Sequence, residues 1–224
     1  MRKKQKILGM AAATFCAFAS AQASEFDGWS AQVGLGYQAT EGTFDNVKVD
    51  GAAVAITADK LKPSGTVLML GVGYTASMSD KYTLGGLFEI NALKSQSSFG
   101  NSYSNGAKVA NGGFTSNVAN QYQLSVVGGY KLEKDTLLYG KLGYVAAKSE
   151  TSNEDASPAT SPNMTGYALG IGVKKLYDKK TFGFLEANTI KFNNQDVTAA
   201  SSSRLTYTVG GSGYNIVVGI GMNF

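Results

Sequence analysis

The sequence YNIVVGIGMNF, residues 214–224, ends the chain and decides the fold class. Apolar side chains occupy every second position, and asparagine, valine or glycine lies between them. This period of two places the apolar side chains on one face of an extended strand. That face consists of Tyr214, Ile216, Val218, Ile220, Met222 and Phe224. The segment therefore predicts a β-strand whose two faces meet different surroundings.

Similar alternation recurs upstream, beginning at Trp29. We predict eight strands, at 29–38, 66–78, 82–93, 118–131, 136–148, 165–177, 181–192 and 214–224. Long connections at about 40–65, 94–117, 149–164 and 193–204 alternate with short ones at 79–81, 132–135 and 178–180. This order predicts antiparallel hairpins. In the first long connection, Asp50-Gly51 is typical of a two-residue turn and predicts a projecting hairpin.

The N-terminal residues 1–23 predict a secretory signal peptide. Four basic residues precede an apolar stretch at 7–19, and small residues follow. We expect cleavage after Ala21 or Ala23, and we predict that residues 24–224 form one barrel domain. The alternative, a membrane-spanning helix, needs about 20 apolar residues, and only about 13 are present here.

Composition argues against most catalytic functions. The chain has no histidine, and its one cysteine, Cys16, lies in the predicted signal. Histidine bases and imidazole metal ligands are therefore excluded. We predict no enzyme activity, no cofactor and no metal site. The acidic segment 150–155 lacks the ligand spacing of a dedicated calcium loop, so we interpret it as a solvated loop.

Charge also argues against nucleic acid as a partner. The formal net charge is +4, with 20 Lys and Arg against 16 Asp and Glu. Four of the basic residues lie in the predicted signal, so the mature chain is neutral by count. A neutral chain with scattered lysines lacks the basic patch that binds phosphate backbones.

Alternation alone does not separate a soluble barrel from a membrane barrel, but three features favour the membrane. The strands reach the ~9–11 residues that a spanning strand needs. Their second face is polar, which predicts a narrow lumen filled by polar side chains. Aromatic residues lie near the strand ends, as expected for interfacial girdles: Trp29, Tyr37, Tyr82, Tyr130, Tyr167, Tyr177 and Phe224. A secreted lipocalin-like or sandwich protein is the alternative, although such folds more often carry disulfides.

The signal peptide, the strand LLYGKLGY at 137–144 and the terminal strand ending in Phe224 carry a family resemblance. Together they resemble the small outer-membrane β-barrel superfamily that includes opacity-type proteins and the transmembrane domain of OmpA. The resemblance implies an all-β fold, an eight-stranded antiparallel up-and-down transmembrane β-barrel. It also implies the outer membrane of a Gram-negative bacterium, contact with outer-membrane lipid and both termini in the periplasm.

The resemblance further implies a role for the last strand. Its alternating residues Tyr214, Ile216, Val218, Ile220, Met222 and Phe224 resemble the signal read by the outer-membrane assembly machinery. Because the chain stops at this strand, we expect no periplasmic peptidoglycan-binding domain.

Three charged residues near the middle of their strands form the candidate lumen site: Glu89, Lys141 and Glu186. We predict that Lys141 pairs inside the barrel with Glu89 or Glu186, because a basic group facing lipid at the midplane would cost ~2–4 kcal/mol. Phe182 and Phe184 share the parity of Glu186. Either a bulge resets the register of this strand, or the lumen holds aromatic rings. The network is interpreted as a polar plug, with a gated conductance as the alternative.

These expectations predict a monomeric barrel closed to bulk flow, with a structural or surface-interaction, adhesin-like role. The long loops, rich in Ser, Asn, Gly and Tyr from Phe99 to Phe114, would contact an extracellular ligand or a host surface. The alternative is a porin or transporter for small solutes or hydrophobic compounds.

Overall fold

The computed structural model describes residues 24–49, 52–53, 56–95, 98–153, 162–199 and 205–224. The predicted signal peptide, the Asp50-Gly51 turn and the acidic residues Glu154 and Asp155 lie outside this part of the chain. Among the described residues, no helix is long and apolar enough to span a membrane. The strands are β1 (Gly28–Val49), β2 (Ala52–Ala53), β3 (Ile56–Ala58), β4 (Ser64–Ser77), β5 (Tyr82–Asn91), β6 (Ser98–Ser104), β7 (Ala107–Glu133), β8 (Thr136–Asn153), β9 (Asn163–Leu176), β10 (Thr181–Ala199) and β11 (Leu205–Asn223).

Eight of these strands form a closed antiparallel ring in the order β1, β4, β5, β7, β8, β9, β10, β11. Pairing of β1 with β11, from Ser30↔Asn223 to Val49↔Leu205, closes the ring. The predicted eight-stranded barrel is confirmed. Closure pairs every strand of the ring on both sides, so the ring has no free edge.

The two ends of the barrel differ. At one end, here called the turn end, the connections are short: 78–81, 134–135 and 177–180. Phe224 lies at this end. The other end, here called the loop end, carries β2, β3 and β6. There β2 pairs with β1, whereas β3 pairs with β6 and β6 pairs with β7.

Several strands are longer than predicted. Strand β1 continues to Val49, β7 begins at Ala107, and β11 begins at Leu205. Much of what we predicted as long loops is therefore a continuation of the barrel wall. The register shifts between Asp45 and Lys48, between Ala119 and Tyr122, and between Phe192 and Gln195. Each bulge breaks the period of two, while the backbone ladder resumes beyond it.

The outer face of the ring is apolar between two levels of aromatic residues. Near the turn end, Trp29 and Tyr74 pack edge to face with ring centroids 5.4 Å apart, and Tyr82 lies 5.4 Å from Tyr130. The predicted girdle residues Trp29, Tyr37, Tyr82, Tyr167, Tyr177 and Phe224 are exposed, and Tyr130 is half-buried. Between the levels, the exposed side chains include Leu35, Leu70, Val126, Leu142, Ile171 and Val218.

Candidate functional site in the barrel lumen

The lumen has three layers. At the turn end lies an apolar turn-end plug: Phe26, Leu137, Leu176, Phe182 and Phe184. The same apolar cluster continues upward through Val67, Met69 and Val217, which border the mid-height cavity beside Gln38 and Glu89. At mid-height lies a central polar layer: Gln38, Glu89, Gln121, Gln123, Tyr139, Lys141, Glu186, Asn188 and Asn215. At the loop end lies a loop-end cup, which surrounds an opening and includes Phe44, Leu61, Val118, Ala147, Met164, Phe192, Tyr207 and Val209.

The chain itself closes the turn end. Phe26, only 4% exposed, inserts into the turn-end plug. The amide group of Asn223 donates to the Glu25 carbonyl at 2.8 Å, and the Ser77 hydroxyl donates to Asp27 Oδ1 at 2.8 Å. These bonds hold residues 24–27 under the barrel floor. The sequence pattern did not reveal this plug, because the segment lies before the first alternating strand.

Two aromatic rings fill the lumen above Phe26. Phe182 and Phe184 point inward and are buried, with ring centroids 6.4 Å apart. The register of β10 runs without a shift from Thr181 to Phe192, so no bulge intervenes between these rings and Glu186. Of the two alternatives for this strand, the second is therefore correct: the lumen holds aromatic rings. Gly219 and Gly221 make this possible, because a Cβ at either would lie 2.6 Å from a ring atom.

The structure brings the three candidate charged residues together. Lys141 Nζ contacts a carboxylate oxygen of Glu89 and lies 2.7 Å from Glu186 Oε1. All three side chains are almost completely buried. Lys141 therefore bridges both acids, whereas the sequence led us to expect one of them. Buried charges of this kind require a partner, because desolvation of a lone ion is costly.

Neutral groups extend the charged cluster across the lumen. The Tyr139 hydroxyl donates to Glu186 Oε2 at 2.9 Å. The Asn188 amide donates to Glu186 Oε1 and to Asn215 Oδ1, both at 2.7 Å. Gly170 on β9 leaves space for this layer, since a Cβ there would lie 2.9 Å from the Lys141 side chain.

Lys174 is a buried cation that the sequence analysis missed. Its ammonium lies 4.6 Å from the Phe182 ring centroid and 5.6 Å from that of Tyr139, so both rings stabilise the charge. With Lys174, the buried charged residues in the described part of the lumen are two acids and two lysines. Lys174 lies on the same face of β9 as Gly170 and Gly172, because positions two residues apart share a face of a strand. That shared parity was the signal that could have identified Lys174 as inward-facing.

The upper boundary of the central polar layer is a pair of glutamines. Gln38 Nε2 donates to Gln121 Oε1 at 2.9 Å across the lumen. Beside them lies a small cavity of about 20 Å³, bordered by Glu89, Lys141 and Asn188 and by the apolar Val67 and Met69. It has room for about one water molecule.

Above this layer the interior becomes apolar, contrary to the prediction of a polar lumen throughout. Strand β10 shows the change. Inward-facing Glu186 and Asn188 are followed by inward-facing Ile190 and Phe192, which are 1% and 5% exposed. On the outer face the order is reversed, since exposed Leu185 is followed by exposed Lys191. The prediction assumed one environment along each strand, but the environment changes near Asn188.

The loop-end cup encloses about 60 Å³ of free space and opens to solvent above it. Its wall is fixed by hydrogen bonds: the Thr40 hydroxyl donates to the Pro63 carbonyl at 3.0 Å, and the Ser116 and Ser149 hydroxyls lie 3.1 Å apart. At its rim, Lys60 Nζ lies 2.8 Å from Glu41 Oε1, with Lys62 3.8 Å from the other oxygen. The hydrogen bond and charge of Lys60 hold the pKa of the Glu41 carboxyl below its usual value.

The residues of the predicted assembly signal lie apart from the lumen site. Tyr214, Ile216, Val218, Ile220, Met222 and Phe224 are exposed on the outer face. The first five of these residues lie on β11, which pairs with β1 on one side and with β10 on the other.

The described residues contain no cluster of three or more His, Cys, Asp or Glu that could hold a metal ion. Glu150 of the acidic segment pairs with Lys94 at 2.8 Å.

Comparison with known proteins adds a family and a set of similar folds. A family model described as the outer membrane protein beta-barrel domain matches residues 8–224. No curated protein matches the chain by sequence. The outer membrane protein OprG from Pseudomonas aeruginosa is 15% identical, with 90% of this chain and 99% of that chain covered and a TM-score of 0.55. At this identity, the likeness is evidence for the fold alone.

Two further solved structures are more distant in shape. The attachment invasion locus protein Ail of Yersinia pestis is 14% identical, with 88% of this chain and 99% of that chain covered and a TM-score of 0.43. The outer membrane protease OmpT from Escherichia coli is 10% identical, with 92% and 99% covered and a TM-score of 0.46.

Proposed function

Because the chain belongs to the outer membrane protein β-barrel domain family, and so to the Gram-negative outer membrane, we propose that it is a closed barrel with a structural or surface-interaction role. The predicted family, architecture and location are confirmed. The outer face suits lipid, since Trp29 and Tyr37 lie roughly 26 Å apart along β1. With the usual strand tilt, that distance is comparable to the ~25 Å apolar band of such barrels. The turn end would face the periplasm.

The observation that carries the closed-barrel proposal is the continuous filling of the lower lumen. Lys141 joins Glu89 to Glu186 at mid-height, and the rings of Phe182 and Phe184 lie below them. Phe26 fills the turn end. A hydrated ion would have to break the buried ion pairs and displace packed rings to cross the barrel.

Conductance and solute flux test closure. Purified protein in planar bilayers should give no steady conductance, and liposomes containing it should swell no faster than protein-free liposomes. Solute-dependent swelling at the rate of an open porin would overturn the proposal. The gating alternative predicts that Lys141→Ala changes single-channel records, whereas a polar plug that never opens predicts records equal to those of wild type.

The loop end supports the surface-interaction part of the proposal. Asp59 Oδ2 accepts hydrogen bonds from the Asn101 backbone N–H at 3.0 Å and from its side-chain amide at 3.2 Å. The Tyr103 hydroxyl donates to the same oxygen at 3.4 Å. These contacts join the segment after β3 to β6 and extend the sheet beyond the ring. A preformed sheet can bind a partner without the entropic cost of ordering a loop.

Loop replacement tests this role. Replacing residues 99–113 by a short Gly-Ser linker should abolish attachment of expressing cells to host cells or extracellular matrix, while the barrel still shows heat-modifiable gel mobility. The control replaces residues 154–161 in the connection from β8 to β9. Unchanged attachment in the first variant would contradict the assignment of contact to the β6 region.

We also propose that the last strand is the assembly signal, that the protein is a monomer and that it has no enzyme activity. Deletion of Phe224 should slow insertion by the assembly machinery, whereas Phe99→Ala, a change to an exposed ring at the loop end, should not. Sedimentation in detergent should give the mass of one chain. The lack of histidine in the sequence supports a non-enzymatic role.

A further inference from the structure

We propose that the loop-end cup binds an uncharged, largely apolar small molecule, which enters from the loop end and does not pass through the barrel. A structural or surface-contact role does not require a ligand in the lumen, so this inference goes beyond the proposed function. It rests on the shape, chemistry and floor of the cup.

The cup has the apolar lining of a small-molecule site. It has about 60 Å³ of free internal space and opens to solvent above, so a compact ligand would be bound with part of its surface exposed. Phe44 supplies one wall, with its ring centroid 5.9 Å from that of Tyr207 and 5.4 Å from that of Phe114. Val209, the cross-strand partner of Phe44, continues this apolar wall, and Phe192 and Met164 extend it on the next two strands. An eight-stranded barrel can either fill its interior with side chains or hold one small ligand.

The reversal along β10 explains why an apolar cavity occurs here. At Glu186 and Asn188 the inner face is polar while the outer face is apolar, and nearer the turn end Phe182 and Phe184 make the inner face apolar. From Ile190 onward, the inner face is apolar and Lys191 is exposed outside. The loop end is thus organised like a water-soluble barrel, with an apolar interior. Its interior has more free space than the central polar layer, about 60 Å³ against about 20 Å³.

The charge of the lining specifies an uncharged ligand. Among the described residues that line the cup, Glu41 is the only charged one. Lys60 and Lys62 already contact its carboxylate oxygens at 2.8 and 3.8 Å. The remaining polar groups are mainly hydroxyls, and Thr40 and the Ser116–Ser149 pair already have partners. A charged ligand would lose its hydration without gaining an ionic partner.

The floor of the cup separates binding from passage. Below the cup, the hydrogen bond from Gln38 to Gln121 crosses the lumen, and beneath it Lys141 joins the two buried acids. An apolar molecule that moved further would enter this polar layer and displace its hydrogen bonds. The cup is therefore a blind-ended site.

Photolabelling tests the site directly. Mature protein in phospholipid nanodiscs is irradiated with 3-trifluoromethyl-3-phenyldiazirine, an uncharged aryl probe, and the labelled residues are mapped by mass spectrometry. Lipid-facing residues such as Leu142 should be labelled without saturation. Met164, Phe192 and Val209 should be labelled saturably, and excess naphthalene should compete whereas naphthalene sulfonate should not.

Two matched variants distinguish cup filling from general damage. Ala147→Phe adds a ring inside the cup and should reduce saturable labelling at least tenfold. Ala187→Phe adds the same ring on the exposed outer face and should leave it unchanged. Val118→Trp fills the cup from another strand and replaces Ala147→Phe if that variant fails to assemble.

Three results would overturn the inference. They are labelling confined to lipid-facing residues in the wild type, saturable labelling that survives Ala147→Phe or Val118→Trp, and equal competition by the sulfonate. Saturable labelling of residues below the cup, such as Gln123 or Phe182, would refute the blind-ended site.

Discussion

The central polar layer and the loop-end cup lie in the same lumen and are built by the same strands, yet their chemistry is opposite. In the central polar layer, Lys141 joins two buried acids, and amide and hydroxyl groups extend the network. In the cup, Phe192 and Val209 face open space. What differs is the medium outside: the layer lies at the level of the apolar outer band, and the cup lies beyond the exposed Lys191.

This difference shows that alternation along a strand indicates that its two faces differ in polarity. It does not indicate whether the inner face is the polar or the apolar one. Where lipid surrounds the wall, apolar side chains point outward; the lumen is polar at mid-height and apolar in the turn-end plug. Where water surrounds it, the same alternation places apolar side chains inside. Four predictions test this contrast, from the largest expected effect to the smallest.

The first prediction concerns the central polar layer. Lys141→Met leaves Glu89 and Glu186 without their shared cation, and loss of one partner of a buried ion pair costs about 3–5 kcal/mol. The free energy of unfolding in urea, measured in lipid vesicles, should fall by that amount. The triple variant Glu89→Gln, Lys141→Met, Glu186→Gln should recover most of it.

Lys175→Met is the matched control, because Lys175 pairs with Asp135 at 3.0 Å in an exposed position. Exposed pairs contribute about 0–1 kcal/mol. Equal effects of the two lysine changes would show that the central polar layer has no buried ionic character.

The second prediction treats the cup as an apolar core. Ile190→Ala removes a side chain that is 1% exposed at the base of the cup, and the expected loss of unfolding free energy is about 2–5 kcal/mol. Lys191→Ala, the neighbour on the outer face, should change it by less than about 0.5 kcal/mol. The opposite ranking would mean that the inner and outer faces are misassigned.

The third prediction locates the change of medium on the outer face. Leu185→Lys places a charge within the apolar band and should lower stability by about 2–4 kcal/mol. Thr189→Lys, four residues nearer the loop end on the same face, should cost about 0–1 kcal/mol. Both are measured by urea unfolding in vesicles, and equal costs would argue against a boundary between these positions.

The fourth prediction concerns pH at the cup rim. The contact with Lys60 lowers the pKa of Glu41, so its ionised, paired form is favoured above the ordinary carboxyl range and is lost only as pH falls through the lowered value. Photolabelling of the cup should therefore be constant from about pH 8 to about pH 6. A change within that window would indicate another titrating group in the site.

Much of the architecture followed from the sequence because period two and alternating connection lengths are local signals. They predicted the number of ring strands, the apolar outer face and the inward position of Lys141. The extensions of β1 and β11 were missed, because bulges such as Asp45/Lys48 shift the phase while backbone pairing continues. Backbone hydrogen bonds between strands do not depend on side-chain polarity, so the residue pattern does not reveal how far the pairing continues.

The lumen was predicted only in part. Glu89, Lys141 and Glu186 stood out because a charge in mid-strand has few places to lie. Lys174 was missed, because its stabilisation comes from the rings of Tyr139 and Phe182, which lie on other strands. The cup was missed because Ile190 and Phe192 were assumed to share the medium of Glu186. The medium outside the wall changes along the barrel axis, and the alternation does not indicate where it changes.

The central claim is a lumen sealed at mid-height and accessible only in the cup. The predicted mature chain has no cysteine, so single cysteines can be placed at Ala147 in the cup, at Ser125, whose hydroxyl accepts a hydrogen bond from Gln123 of the central polar layer, and at Leu137 in the turn-end plug. The measurement is the rate of reaction with N-ethylmaleimide, a small uncharged thiol reagent, in nanodiscs, where both ends are accessible. We expect rapid reaction at position 147 and protection at 125 and 137. Reaction at position 125 as fast as at 147 would contradict the claim.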